Sequence, residues 1–420
     1  MRNPRSLALV LSMLVSLAPA QDVVRTSAWS DYRGPTWDGQ APGADVPLTW
    51  SEKKNIAWKT EIPGVGYSSP VIASGRAWLT TSSPKGRKLS VIAVDLKTGK
   101  KVVDRVLFTN DTDQKKNAFN SYASPSPTAE PGRVFIHFGE YGTACLGASS
   151  GKTLWSRTDI PHDSKEGPGS SPILYRDLLI FNCDGIDVQY VIALDKKTGK
   201  TRWKTNRSID LRKKPSDMRK AFSTPIIVNV GGLPRLISTA AEGTMAYDPM
   251  TGKELWKFRH SGFSNSSRPL FAAGMLLLNT GFMRPRLIAA KAEGRGTVTQ
   301  SAAIWSYRQS VPTMSSPVIV GKRIYMVSDK GTATCLDLES GKRIWRERLG
   351  SSHCSSPIHA AGRIYFFDRD GKTTVIKPGD TFERIAENQL EARFMASAAI
   401  DGNAFILRSV KHLYRIDEEH

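Results

Sequence analysis

The chain repeats one phrase along most of its length, at a spacing of roughly 40–55 residues. Ser315-Ser316-Pro317 opens a stretch that passes Gly321-Lys322 and CLDLESGKRIW and ends at Trp345. Ser170-Ser171-Pro172 opens another that passes VIALDKKTGKTRW and ends at Trp203. A fixed period of this size means one supersecondary unit copied along a rod or around a ring. Each copy buries its apolar faces only against its neighbours, so function belongs to the loops where copies differ.

Read strand by strand, the unit from Ser315 gives PVIV, a turn at Gly321-Lys322, RIYMVS, a turn at Asp329-Lys330-Gly331, TATCLDL, a turn at Glu339 to Lys342, and RIWRERL. Four antiparallel strands joined by tight glycine turns make a β-propeller blade. Units start near Ser69-Pro70, Ser126-Pro127, Ser171-Pro172, Thr224-Pro225, Arg268-Pro269, Ser316-Pro317, Ser356-Pro357 and, in degenerate form, Ser397-Ala398. The expected fold is therefore all-β, an eight-bladed propeller of four-stranded antiparallel blades. A Trp closes the units at Trp155, Trp203, Trp256, Trp305 and Trp345, while Val103 and Phe382 lie near that place in blades one and seven. The last unit runs out at Ile416 without a fourth strand, and Asn55 to Lys59 carries an orphan repeat Trp, Trp58. An N-terminal strand is expected to close the ring, which removes two exposed sheet edges. The organisation is then a signal peptide over 1–20, a lead-in over 21–49 and the propeller over 50–420.

Arg2 and Arg5, the apolar run Leu7 to Leu17 and Ala18-Pro19-Ala20 read as a secretory signal cleaved near Ala20. A periplasmic or secreted monomer follows. No Cys succeeds the cleavage site, so a soluble rather than lipid-anchored form is expected. Cys145, Cys183, Cys335 and Cys354 form no CxxC pattern, and Cys145 and Cys335 fall in apolar strand runs as buried free thiols. The balance of 59 Lys plus Arg against 39 Asp plus Glu gives a net charge of +20, which suits anionic partners. Motifs of the GxSxG, Walker A and HExxH kinds are absent, as is EF-hand spacing, so no metal site is expected.

Ala193-Leu194-Asp195 through Thr198-Gly199-Lys200 to Trp203, repeated as Ala246-Tyr247-Asp248 through Thr251-Gly252-Lys253 to Trp256, resembles the AxDxxTGKxxW signature of the pyrroloquinoline-quinone (PQQ) repeat family. The opening DYRGPTWDG, Asp31 to Gly39, resembles the lead-in of exported PQQ-like, BamB-like bacterial propellers. The resemblance implies blade docking by Trp58, Trp155, Trp203, Trp256, Trp305 and Trp345. It also implies a non-enzymatic scaffold for a protein or polymer partner. The same family includes quinoprotein dehydrogenases, which hold PQQ and Ca²⁺ on the axis with a stacking Trp, a disulfide of adjacent cysteines and an Asp base. This chain has no adjacent cysteines, and its remaining tryptophans, Trp29, Trp37, Trp50 and Trp78, precede the first blade or lie in a strand. No cofactor is expected; a PQQ- and calcium-dependent enzyme, with Phe222 or Tyr122 in place of the Trp and Asp368 or Asp370 as base, is the alternative.

Antiparallel blades present two loop faces. The first and third turns share one face and form a basic crown, with Gly75-Arg76, Gly132-Arg133, Gly199-Lys200, Gly321-Lys322 and Gly341-Lys342 among them. These cations read either as a polyanion surface or as solvated turn residues. The opposite face carries the longer blade connections, with Tyr67, Phe119, Asn120, Tyr122, Lys220, Phe222, His260, Phe263, Asn265, Arg268, Arg308, Met314, His353, Phe394 and Met395. It also receives the middle turns with Glu140, Asp184, Glu242, Asp329, Asp368 and Asp370. Aromatics mixed with cations around a ring's mouth suit an anionic, planar or sugar-like ligand or a partner surface, and equally suit packing between inner strands.

Overall fold

The computed structural model describes residues 29–298 and 302–418. The expected signal sequence and its expected cleavage site lie outside the described residues.

Eight sheets stand around one axis, and each is a blade whose strands follow one another outward. Blade six shows the plan, with Val318–Val320 innermost, then Arg323–Val327, Thr332–Asp337 and Arg343–Arg348. Its second and third strands are buried almost throughout, because neighbouring blades cover both faces. The innermost strands are short, and three of their turns place a non-glycine residue at positive φ before Gly75, Gly274 and Gly362. That is the primed two-residue hairpin which matches strand twist. The N-terminal strand closes the ring: Ile56–Glu61 pairs antiparallel with His412–Ile416, with Trp58 opposite Arg415.

The repeated signature has a mechanical meaning. Asp195 Oδ1 accepts from the amides of Lys197 and Thr198 and from the Thr198 hydroxyl, which folds the third turn. Asp95 makes the same three bonds with Lys97 and Thr98. The turn then delivers a glycine beneath the Trp of the preceding blade. Gly252 sits at φ +71, and a Cβ there would lie 2.5 Å from the Trp203 indole. Gly99, Gly199 and Gly341 take the same place under Trp58, Trp155 and Trp305. Each indole N–H reaches a carbonyl of the next blade: Trp58 to Leu96, Trp155 to Lys196, Trp203 to Pro249, Trp305 to Leu338 and Trp345 to Gly379. Trp256 instead lies against Gly294, just before an added parallel strand, Gly296–Val298, in which Gly296 is its register partner.

Two blades depart from this plan. Val103 of blade one covers Gly151, as a smaller Trp. In blade seven the residue in Trp register is Ala386, opposite Val375, and not Phe382. Phe382 belongs to the turn that receives Trp345, whose ring it meets edge-on at 5.3 Å. The vacancy beside Ala386 is filled by Trp50, stacked on Tyr365 and tilted against Phe405. Cys145 and Cys335 lie opposite Trp155 and Trp345 in equivalent register. They are free thiols, and burial pushes both up to about 12.

The Ser-Pro starts form a belt around the axis. The hydroxyl of each blade's second Ser or Thr accepts the amide of the equivalent residue in the blade before: Ser69 to Ser126, Ser126 to Ser171, Ser171 to Thr224, Arg268 to Ser316, Ser316 to Ser356, Ser356 to Ser397 and Ser397 back to Ser69. The one link of this kind that cannot form is at blade five, where Arg268 replaces the hydroxyl residue. Its guanidinium donates instead to Pro225 O and, at 2.6 Å, to Tyr32 O of the lead-in.

The lead-in occupies the axis. Ile72 and Ala129 donate to Trp29 O and Ser30 O, tying it to blades one and two. The buried Arg33 donates to Ser316 O and Pro317 O of blade six. Gln40–Ala41 runs parallel to His359 and Ala360 of blade seven. Arg268 lies 4.9 Å from the centre of the Trp37 ring. Asp31, 4.0 Å from Arg268, accepts from Thr128 Oγ1. Burial pushes the Asp31 carboxyl up to about 6 against the opposing pull of Arg268, and lowers Arg268 itself to about 10.

Candidate functional site

On the blade-connection face the eight connections converge on a funnel of about 530 Å³. Tyr32 at the tip of the lead-in closes its floor, so the funnel is blind. The structure brings together on its wall Tyr67, Phe119, Asn120, Lys220, Phe222, Phe263, Met314, His353 and Met395. Each reaches the axis because the connection that carries it ends in the Ser-Pro belt.

Six other candidates do not line it. Tyr122 is buried, with its hydroxyl donating to Gln114 O and its ring edge-on to Tyr141. His260 is buried against Thr244 Oγ1 at 2.9 Å, and burial lowers its pKa to about 4. Asn265 is fully buried and ties backbone, donating to Ala240 O and accepting from Gly281 N. Arg268 lies beneath the floor, engaged with the lead-in. Arg308 is exposed and outside the funnel. Phe394 packs edge-on to Phe367 in the core. In each case except Arg308 the side chain turns into the blades because an apolar or backbone partner waits there.

Contributors that the sequence does not place at the mouth include Tyr32, Glu166, Asp217, Phe282, Cys354 and Arg369. The DYRGPTWDG motif was visible, but nothing local tells that it threads the axis. Phe282 and Arg369 sit on middle turns, where the expectation attended to acids alone.

The funnel's charges are unevenly compensated. Lys220, almost wholly buried, donates to Asp217 O at 2.8 Å and pairs with the Asp217 carboxylate and with Glu166 at 3.6 Å. Asp217 also receives Lys165. Asp329 accepts from the Thr313 amide and hydroxyl. His353 Nδ1 lies 3.0 Å from Ser351 O, and burial lowers this imidazole to about 4, so it is neutral at pH 7. The Arg369 guanidinium lies 5.2 Å from the Phe119 ring centre and makes no ion pair with a described residue. The middle-turn acids serve neighbours: Asp184 holds Arg207 at 2.7 Å, Glu140 accepts from Ser164, Glu242 pairs with Lys214, and Asp368 accepts the amides of Asp370 and Lys372. No group of three His, Cys, Asp or Glu side chains placed to hold a metal ion occurs among the described residues.

The family model described as outer membrane protein assembly factor BamB matches residues 189–316 and 246–404 of this chain. The chain belongs to this PQQ-like, BamB-type propeller family. A curated relative, outer membrane protein assembly factor BamB of Yersinia pestis, is 24% identical over 237 residues, 44% of this chain. The match spans 58% of that relative, less than two thirds of its length. Among solved structures, BamB from Moraxella catarrhalis superposes with a TM-score of 0.59 at 11% identity, covering 86% of this chain and 99% of that one. A quinohemoprotein alcohol dehydrogenase from Pseudomonas putida gives 0.58 at 12% identity over 94% of this chain and 81% of its own. A europium-containing methanol dehydrogenase gives 0.53 at 11% identity, covering 92% and 91%. At these identities the superpositions show the shared fold alone.

Proposed function

We propose that the protein is an exported, non-enzymatic binding scaffold that holds a protein partner on its blade-connection face. The observation that carries this reading is the rim of the blind funnel. Phe119 and Phe282 are each 58% exposed there and Met283 is 72% exposed, held out at φ +76. Bulky apolar side chains kept in water around a concave mouth are the mark of a docking surface. The family's printed description, outer membrane protein assembly factor, supports a partner in outer-membrane protein assembly and, with it, a periplasmic location. Among the described residues no helix is long and apolar enough to cross a membrane.

Two other readings have less behind them. For the quinoprotein reading, no Trp lines the funnel among the described residues and its acids Asp217, Glu166 and Asp329 are each engaged, so the residues present do not fit a stacked quinone with its calcium. For the polyanion reading, several crown cations are neutralised within their own face: Arg323 by Asp337 and Asp380, Arg363 by Asp45, Arg415 by Asp401, Lys196 by Glu130.

The test is site-directed photo-crosslinking in the source cell envelope. A crosslinker at Met283 is expected to trap a component of the outer-membrane assembly apparatus, and one at Lys342 on the crown is not. Trapping from Lys342 alone would reverse the assignment of faces. Dye reduction on reconstitution with PQQ and Ca²⁺ would overturn the non-enzymatic reading.

A further inference from the structure

The funnel wall holds hydrogen-bond donors with no partner among the described residues. Arg369 contributes a guanidinium whose Nε is buried without a partner and which meets no carboxylate among the described residues. The Tyr67 hydroxyl, half-buried beside it, makes no hydrogen bond to a described residue. Burial raises the Tyr67 pKa, which keeps the phenol protonated as a donor. Behind Tyr67 stands a second guanidinium, the fully buried Arg408, held by Ser68 O and Thr80 O and paired with no carboxylate among the described residues. An arginine aimed into a cavity beside a free hydroxyl asks for an anionic acceptor. Across the funnel the Lys220 charge is already cancelled by Asp217 and Glu166, so the demand is confined to the side of blades seven and eight.

The wall also carries an apolar stretch, Phe222, Phe263 and Met314, among polar neighbours such as Asn120, Thr313, Asp329 and His353. The floor is shut by Tyr32, so a polypeptide cannot pass through. A chain end enters a blind cavity once, whereas a loop must pass the mouth twice.

We propose that the funnel captures the C-terminus of a protein partner, the α-carboxylate on Arg369 and Tyr67 and the last, apolar side chain among Phe222, Phe263 and Met314. This deepens the partner-binding reading above and rests on it. Terminal carboxylates are recognised elsewhere by the same combination of convergent donors and an adjoining apolar pocket.

The experiment uses the full-length protein and a fluorescein-labelled pentapeptide ending in phenylalanine, either as the free acid or as the C-terminal amide, followed by anisotropy. The acid is expected to bind at least about ten-fold more tightly than the amide, the increment of a charge-assisted pair. Arg369→Gln should erase that preference, and Arg369→Lys should keep part of it. Tyr67→Phe should weaken the acid about three-fold and leave the amide unchanged. Melting curves of the variants, compared with the parent, establish that the fold is intact. Equal binding of acid and amide, or a preference that survives Arg369→Gln, overturns the proposal. If neither peptide binds while Met283 still crosslinks its partner, the chain-end inference falls and the scaffold reading stands. If crosslinking also fails, both fall.

Discussion

At the outer wall, Trp203 lies on Gly252 of the next blade and donates to Pro249, and the same contact recurs at Trp58, Trp155 and Trp305. At the axis, Arg33, Trp37 and Arg268 make contacts that occur once in the chain. The wall is built by repetition and the axis by departures from it. Three of the departures coincide with the N-terminal segment. Blade five loses its belt hydroxyl and Arg268 grips Tyr32 instead; blade seven carries Ala386 for Trp and receives Trp50; blade eight lacks its last strand and receives Ile56–Glu61. The segment before the first repeat is therefore part of the ring, and it sets the floor of the funnel on which the functional reading rests.

The comparison breaks most completely if that segment is dispensable. Deleting residues 21–60 removes the closing strand, Trp50 and the axial plug together, and leaves His412–Ile416 as an open edge. Light scattering should find aggregates in place of monomer; a monomer with unchanged melting would show that the ring closes some other way.

The wall is probed next by Trp345→Ala. It removes a largely buried indole that contacts Tyr325 and Phe382 and donates to Gly379 O. Denaturant titration should show a loss of about 3–5 kcal/mol, with peptide and partner binding intact in the folded fraction.

Arg268→Ser sharpens the contrast, because it perfects the repeat. If only the belt mattered, the variant would gain a hydroxyl for the Thr224 amide and become more stable. With Arg268 anchoring the lead-in, it should instead lose about 3 kcal/mol, since Asp31 is left buried without its cation.

The smallest effect expected is one of pH. Asp31 rises from 3.8 to about 6 on folding because it is buried. The folded state thus binds the extra proton between those values. The stability this group supplies is fully present below pH 3.8 and is lost as pH rises through 6. Asp31→Asn removes the dependence, so its stability relative to the parent should climb by about 2 kcal/mol from pH 4 to pH 7. A flat difference would mean that Asp31 is ionised without cost.

The wall was legible in the sequence because its rules are local. Asp195, Thr198 and Gly199 shape a turn within a few residues, and Trp203 recurs at fixed distance from it. The closing strand was legible too, since an orphan Trp58 matched a missing strand. The funnel was legible only in part. Which face carries the connections follows from strand count, but whether a given aromatic points to the axis depends on what lies beneath it. Phe222 and Phe263 face the cavity, whereas Phe394 finds Phe367. Arg268 falls on the connection face by strand count, but its distant partner, Tyr32, lies on a segment whose path no local signal gives. Phe382 was one turn from the place assigned to it, since only strand register identifies Ala386.

Hydrogen exchange of the lead-in amides tests the central claim most directly. In the parent, the amides of Gly34, Trp37 and Gly39 bond within the lead-in under the cover of blades four to seven, and they should exchange as slowly as buried second-strand amides such as Leu79. In Arg268→Ser, protection over residues 31–41 should fall while the second and third strands of the blades keep theirs. Fast exchange over 31–41 in the parent, or protection unchanged in Arg268→Ser, would contradict the account.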